Sequence, residues 1–150
     1  MALSARAHYA CIALLDLVAQ LQQGRQQPVT VHEISRRHGV SHPFLRQIMN
    51  RLRAAGLVTS ARGSGGGYQL VVPPEELTLK RVLDAVGESW ELRADEGGEI
   101  ASVAHDVLGR TWEELNCKLA EQLDGVNFAD LAEQYLAAIT EGKETPDWVI

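Results

Sequence analysis

Apolar residues in the first part of the chain recur at helical spacing. Leu14, Leu17, Val18 and Leu21 fall at i, i+3, i+4 and i+7, which sets them on one stripe of an α-helix. Ser4 is placed to cap this helix and Gly24 to end it. After the loop "GRQQP", Thr30 and Glu33 stand three apart and carry the signature of a capping box. They open "VHEISRRHG", a short helix closed by Gly39. Ser41 is expected to cap a third helix, with Pro43 tolerated in its first turn and "FLRQIMNRLRAAG" running to Gly56. Leu45, Ile48, Met49 and Leu52 share one face of it, and Phe44, Arg46, Gln47, Asn50, Arg51 and Arg53 populate the rest.

The pattern then changes. "LVTSA" and "YQLVV" carry β-branched and aromatic residues and flank a glycine-rich stretch, which predicts two strands of a hairpin. Two short helices joined by "HGVS", with a glycine in the turn, have the layout of a helix-turn-helix. Three helices followed by a hairpin predict a winged helix-turn-helix, mainly α with a small β-hairpin wing. Pro73 and Pro74 end the second strand, and Thr78 starts "LKRVLDAVGE", whose Leu79, Val82, Leu83 and Val86 should pack back on the domain. The expected organisation is a DNA-binding domain over 1–88, an acidic loop over 89–102, dimerisation helices over 103–140 and a tail over 141–150. In the long helix of the third segment, Leu108, Trp112, Leu115 and Leu119 step by four, three and four, a heptad seam. The same pattern fits packing against a second copy or against the chain's own domain; the first is the expectation. Asn127 is placed to cap a last helix, "FADLAEQYLAAI".

Charge divides the chain in two. Residues 1–74 hold eight arginines against Asp16 and Glu33, a net of +6; the remainder holds six basic and eighteen acidic residues, a net of -12. The overall charge of -6 therefore conceals a basic half suited to phosphate and an acidic half that stays off it. All eight basic side chains of the first half are arginine, the forked donor that matches phosphate and guanine.

Other chemistries fail on residues. In "RGSGGGYQL", Arg62 to Leu70, the position that a GxGxxG motif would fill with its third glycine is Tyr68, and no Lys-Ser or Lys-Thr pair follows. Cys11 and Cys117 lie far apart with no CxxC spacing, and the five histidines are scattered, so neither a metal site nor a nucleophile with its base stands out. The expectation is a protein that is no enzyme. The run "CIALLDLVAQL" is too short and too polar to span a bilayer, and the start lacks a signal-peptide layout, so the chain is expected in the cytoplasm with no membrane partner.

A helix-turn-helix reads the major groove with the first residues of its second helix. Here these are Ser41, His42, Pro43, Phe44, Arg46 and Gln47. Arg46 suits guanine, Gln47 suits adenine, and Phe44 or Pro43 suits a thymine methyl. Arg36, Arg37, Arg51 and Arg53 are expected to contact phosphates or stay solvated. The hairpin tip, Gly63, Ser64, Gly65, Gly66 and Gly67, is small enough to enter the minor groove, with Arg62 supplying charge at its base. The competing reading is a protein-interaction module that keeps the winged helix and has lost DNA binding. The overall acidity favours it, and Arg46, Arg51 and Arg62 count against it.

At "LRQIMNRLRAAGLVTSARGSGGGYQL" the sequence closely resembles the Rrf-type winged-helix transcription regulators, the group of IscR, NsrR and CymR. "LSARAHYACIALLDLV" looks like the family's first helix, and "LTLKRVLDAVGE" and "WEELNCKLAEQLDGVNFADL" like its later landmarks. The resemblance covers roughly Met1 to Leu131. It implies a homodimer on a palindromic or nearly palindromic operator, with contacts exchanged around Trp112 and DNA held by the recognition helix and Arg62. Many relatives bind an iron–sulfur cluster through three cysteines before the long helix, some adding a ligand from the first helix near His8. Residues 89–111 contain no cysteine, and thiolates are the ligands such clusters need. No iron–sulfur cluster is therefore expected, and His8 and His105 are read as ordinary histidines. Cys11 and Cys117 are read as small core residues. The expected function is a homodimeric repressor that senses a small effector or, as in cluster-free relatives, a partner protein.

Overall fold

The computed structural model describes residues 2–63, 66–94 and 102–142. Helix α1 (Ala5–Gln22) begins where the Ser4 hydroxyl accepts the Ala7 N–H. Helices α2 (Val31–His38) and α3 (His42–Ala54) meet at a turn in which Gly39 adopts the left-handed conformation, and Val40 inserts into the core beneath it. The hairpin pairs β1 (Val58–Ala61) with β2 (Gly67–Leu70), antiparallel, in the register Val58 opposite Leu70 and Ala61 opposite Gly67. A single 3-10 turn, Pro74–Glu76, leads to α4 (Leu79–Val86), and α5 (Val103–Asp124) and α6 (Phe128–Thr140) follow. The expected order of helices and hairpin is present, and the chain is a winged helix-turn-helix.

The core explains the order. Ala7, Ala10, Leu14 and Val18 of α1 are wholly buried, and so are Ile34, Leu45, Ile48, Met49 and Leu52 of the helix-turn-helix, with Val82 and Val86 of α4. Helix α6 joins them through Phe128 and Ala132. Its start is held to the beginning of α4 by two backbone bonds, Leu79 N–H to Val126 O at 3.0 Å and Phe128 N–H to Leu77 O at 2.9 Å. Segment 103–140 thus divides: α6 lies in the common core, whereas no residue of α5 is buried.

The capping box of α2 does more than close a helix end. Glu33 accepts from the Thr30 N–H at 2.8 Å, and its own N–H donates to Thr30 Oγ1 at 3.1 Å. Arg25 grips the same carboxylate with both Nη atoms, at 2.7 and 3.1 Å, and also donates to the carbonyls of Gln27 and Pro28. The loop from α1 to α2 is therefore fastened by one arginine fork.

The Arg25 hydrogen bonds, opposed by partial desolvation and aided by Thr30, hold the Glu33 carboxyl at about 2 against an ordinary 4.5. A depressed folded-state value means that this stabilisation is complete above the unfolded value and is lost as pH falls through the folded one. Glu33→Gln keeps a side-chain carbonyl for the capping box but loses the charge that Arg25 grips, and should therefore lower thermal stability at neutral pH by about 0.5–1 kcal/mol. The gap between the two proteins should close as pH drops from 4.5 toward 2; a constant gap in a pH series of melting curves would refute the assignment.

Candidate nucleic-acid interface

At about 100° per residue, the buried side chains of α3 centre on one side, and Pro43, Arg46, Gln47 and Asn50 point the opposite way. All four are exposed, as are His42 and Arg51 on the flanks. Phe44 differs from the rest of the expected reading set. It lies about 40° from Ile48 on the helical wheel, is half-buried, and meets Tyr9 of α1 edge to face at 6.0 Å between ring centroids. Its ring serves the packing of α3 on α1. Ser41 occupies the N-cap position but its hydroxyl takes no backbone N–H, contrary to the cap expected of it. The first turn of α3 keeps unpartnered N–H groups, the arrangement that attracts an anion.

The wing is seated by α2's own approach. Val29 exchanges both backbone hydrogen bonds with Tyr68, at 2.9 and 2.7 Å, so the residue before the capping box is tied to the outer edge of the hairpin by a single β-bridge. This contact decides Gly67, which has φ +134 and where a Cβ would lie 2.5 Å from the Val29 carbonyl oxygen. At Gly66 a Cβ would lie 2.9 Å from the Ala61 and Gly63 oxygens. Gly66 and Gly67 are thus demanded by close backbone packing. Ser64 and Gly65 lie outside the described residues. Arg62 and Gly63 are exposed at the end of β1. A cleft between hairpin and recognition helix is lined by His32, His42, Arg46, Asn50, Gly67 and Tyr68.

Seven of the eight arginines of the basic half sort into two groups. Arg37, expected to contact phosphate or remain solvated, instead binds Asp16 of α1 with Nε at 2.8 Å and Nη2 at 2.6 Å, and His38 Nε2 lies 3.0 Å from the same carboxylate. Asp16 is 1 % exposed; a charge there requires partners, and α2 supplies them. Burial pushes the Asp16 carboxyl up, but hydrogen bonds and charge from His38 and Arg37 outweigh it and hold the group below its ordinary value. Arg25 is committed to Glu33, and Arg53 donates to Ser60 Oγ on β1 at 3.2 Å. The side chains of Arg36, Arg46, Arg51 and Arg62 are exposed and make no hydrogen bond or ion pair among the described residues. Both carboxylates of residues 1–74 are therefore locked to arginines, and neither neutralises the exposed ones. The sequence held a signal for this. Asp16 falls among the apolar positions of α1, where an isolated carboxylate calls for a cation from a neighbouring element.

The family model described as "Rrf2: Iron-dependent Transcriptional regulator" matches residues 3–134. The chain belongs to the Rrf2 family. It is 37% identical over 132 residues to the HTH-type transcriptional regulator IscR of Aliivibrio salmonicida, spanning 87% of this chain and 77% of that protein. Among solved structures, IscR of T. potens superposes with a TM-score of 0.68 at 28% identity, covering 90% of this chain and 88% of that one. CymR, the global cysteine regulator of B. subtilis, gives 0.73 at 24% identity over 89% and 98%, a likeness of fold. Membership in Rrf2 makes this a DNA-binding transcriptional regulator and not an enzyme. Among the described residues no helix is long and apolar enough to cross a membrane.

Two neighbouring arginines should behave in opposite ways. Arg37→Ala leaves Asp16 buried without its fork and should cost on the order of 3 kcal/mol of stability. Arg36→Ala should leave the melting temperature within about 1–2 °C while weakening DNA binding. Equal melting temperatures for the two variants would show that the Asp16 pair does not hold the domain.

Proposed function

We propose that this chain is a homodimeric repressor that binds a palindromic or nearly palindromic operator, works without an iron–sulfur cluster, and takes its signal from a small effector or a partner protein. The observation that carries the reading is the exposed arginine set Arg36, Arg46, Arg51 and Arg62, with both nearby acids held elsewhere. On duplex DNA, Arg46 and Gln47 read base edges with His42 and Pro43 beside them. The unpartnered first turn of α3 at Ser41 and the flanking Arg51 take backbone phosphates, and Arg62 with the glycine tip from Gly63 follows the minor groove.

The long helix supports the dimer. Along α5, Val103 is 80 % exposed, Leu108 52 % and Leu115 40 %, while Trp112 and Leu119 are half-buried. A 22-residue helix with an uncovered apolar seam has most to gain from a second copy of itself. Two such copies present two recognition helices, which a palindromic site matches.

The donor set argues against a cluster. Residues 89–111 hold no thiol, and Cys11 is half-buried in α1, where burial pushes its thiol up to about 11 and keeps it protonated. Cys117, expected in the core, is instead exposed on α5, and no group of three His, Cys, Asp or Glu side chains among the described residues is placed to hold a metal ion. With 18 acidic against 6 basic residues after Pro74, the second half suits a protein or small-molecule signal and repels nucleic acid.

Operator DNA selected from a random pool provides the test. Affinity should fall on the order of 1,000-fold between about 50 and 200 mM salt, and Arg62→Ala should weaken binding roughly tenfold while leaving the dimer intact. A flat salt response would sink the arginine-face model, and an unchanged Arg62→Ala would remove the wing from it. In sedimentation velocity, Leu115→Glu should convert the dimer to folded monomer; a dimer that persists would place the contact elsewhere than the α5 seam.

A further inference from the structure

Two exposed histidines meet at the mouth of the cleft beside the recognition helix. His32 stands in the first turn of α2 and His42 is the first residue of α3. Their rings lie 5.3 Å apart, tilted by 57°, with His32 Nδ1 3.3 Å from His42 Nε2. An imidazole nitrogen carries either a proton or a lone pair, so one of these two donates and the other accepts. The other ring nitrogens, His32 Nε2 and His42 Nδ1, make no hydrogen bond among the described residues.

This coupling has a chemical consequence. If His32 Nδ1–H donates, His42 carries its proton on the free Nδ1 and offers the DNA a donor. If His42 Nε2–H donates, its free Nδ1 is an acceptor and the free donor belongs to His32. With one further proton, the pair keeps its inner hydrogen bond and presents N–H on both free nitrogens. What His42 offers at the head of α3 is thus set by a residue of another helix.

The surroundings of the pair are basic and polar. On α2, His32 shares a hollow with Arg36, with Glu33 beside it bound to Arg25 and Arg37 bound to Asp16. From α3 the pair faces Arg46 and the amide of Asn50, and from the hairpin the phenol of Tyr68. Among the described residues, both carboxylates beside this ring are committed to arginines.

We propose that His32 and His42 act as one recognition unit: His32, outside the recognition helix, is a positioning residue that orients the His42 ring and assigns its proton. The pair then donates, beside Arg46, to an acceptor on the duplex. That acceptor is a guanine edge or a phosphate oxygen. The inference rests on the DNA-binding reading above and adds a residue to it.

The test uses the full chain and selected operator DNA, with His32→Ala, His32→Asn, His42→Ala and the double alanine variant. His32→Ala should weaken binding roughly five- to tenfold, as for a lost hydrogen bond, and the double variant should be no weaker than His42→Ala alone. His32→Asn, whose amide can stand where Nδ1 stood, should restore most of the loss. A drop confined to operator DNA identifies a guanine edge, and an equal drop on unrelated DNA identifies a phosphate; either supports the pair. Wild-type affinity in His32→Ala, or additive losses in the double variant, would overturn it. Nitrogen-15 spectra of the His42 ring in DNA-free protein supply a second readout. His32→Ala should change its tautomer balance, and unchanged spectra would overturn the proposal even if the wild-type chain bound no DNA.

Discussion

A full negative charge inside the core makes Asp16 the constraint on which the arrangement of helices depends. A carboxylate with 1 % exposure is tolerable only with its partners in place, and those partners, Arg37 and His38, sit in the last turn of α2. The pair therefore sets how α2 is rotated on α1. Tyr135 of α6 lies near the same charges: burial first, then the Asp16 carboxylate, pushes its phenol above the ordinary value, with Arg37 acting in the opposite sense. One buried cluster thus relates α1, α2 and α6.

The DNA-facing parts depend on α2 in turn. Just ahead of it, Val29 pairs with Tyr68 and seats the hairpin, and His32 in its first turn meets His42 at the head of α3. A helix of eight residues cannot hold such positions by its own propensity. It does so because one end is locked by Thr30, Glu33 and Arg25 and the other by Asp16. The same two locks consume both carboxylates of the basic half, so fastening the scaffold also leaves Arg36, Arg46, Arg51 and Arg62 without a salt bridge among the described residues.

Stability and recognition are also entangled in the glycines of the hairpin. Gly67 and Gly66 answer to carbonyl oxygens 2.5 and 2.9 Å from where a Cβ would stand. Arg62 therefore projects from a base whose shape is dictated by backbone packing against Val29. Phe44 shows the complementary case, a residue in a recognition helix that belongs to the scaffold through Tyr9.

Much of the fold was legible in the chain, because local rules govern it. The stripe from Leu14 to Leu21, the Thr30 and Glu33 box, the Gly39 turn, the strands around the glycines and the Asn127 cap all depend on neighbours in sequence. The exposed side of α3 was legible for the same reason, since a helix of known phase has a known outer face. What spacing could not decide was pairing across distance. Arg36 and Arg37 are adjacent and chemically alike, yet one is exposed and the other bound to a carboxylate 21 positions earlier. Ser41 had the composition of a cap without its hydrogen bond. Gly67 needed the approach of Val29 to explain it, and the meeting of His32 with His42 needed the turn between two helices. Periodicity determined which residues face inward or outward; only tertiary packing decided which charges and rings meet, because those contacts depend on the relative placement of elements that no local pattern encodes.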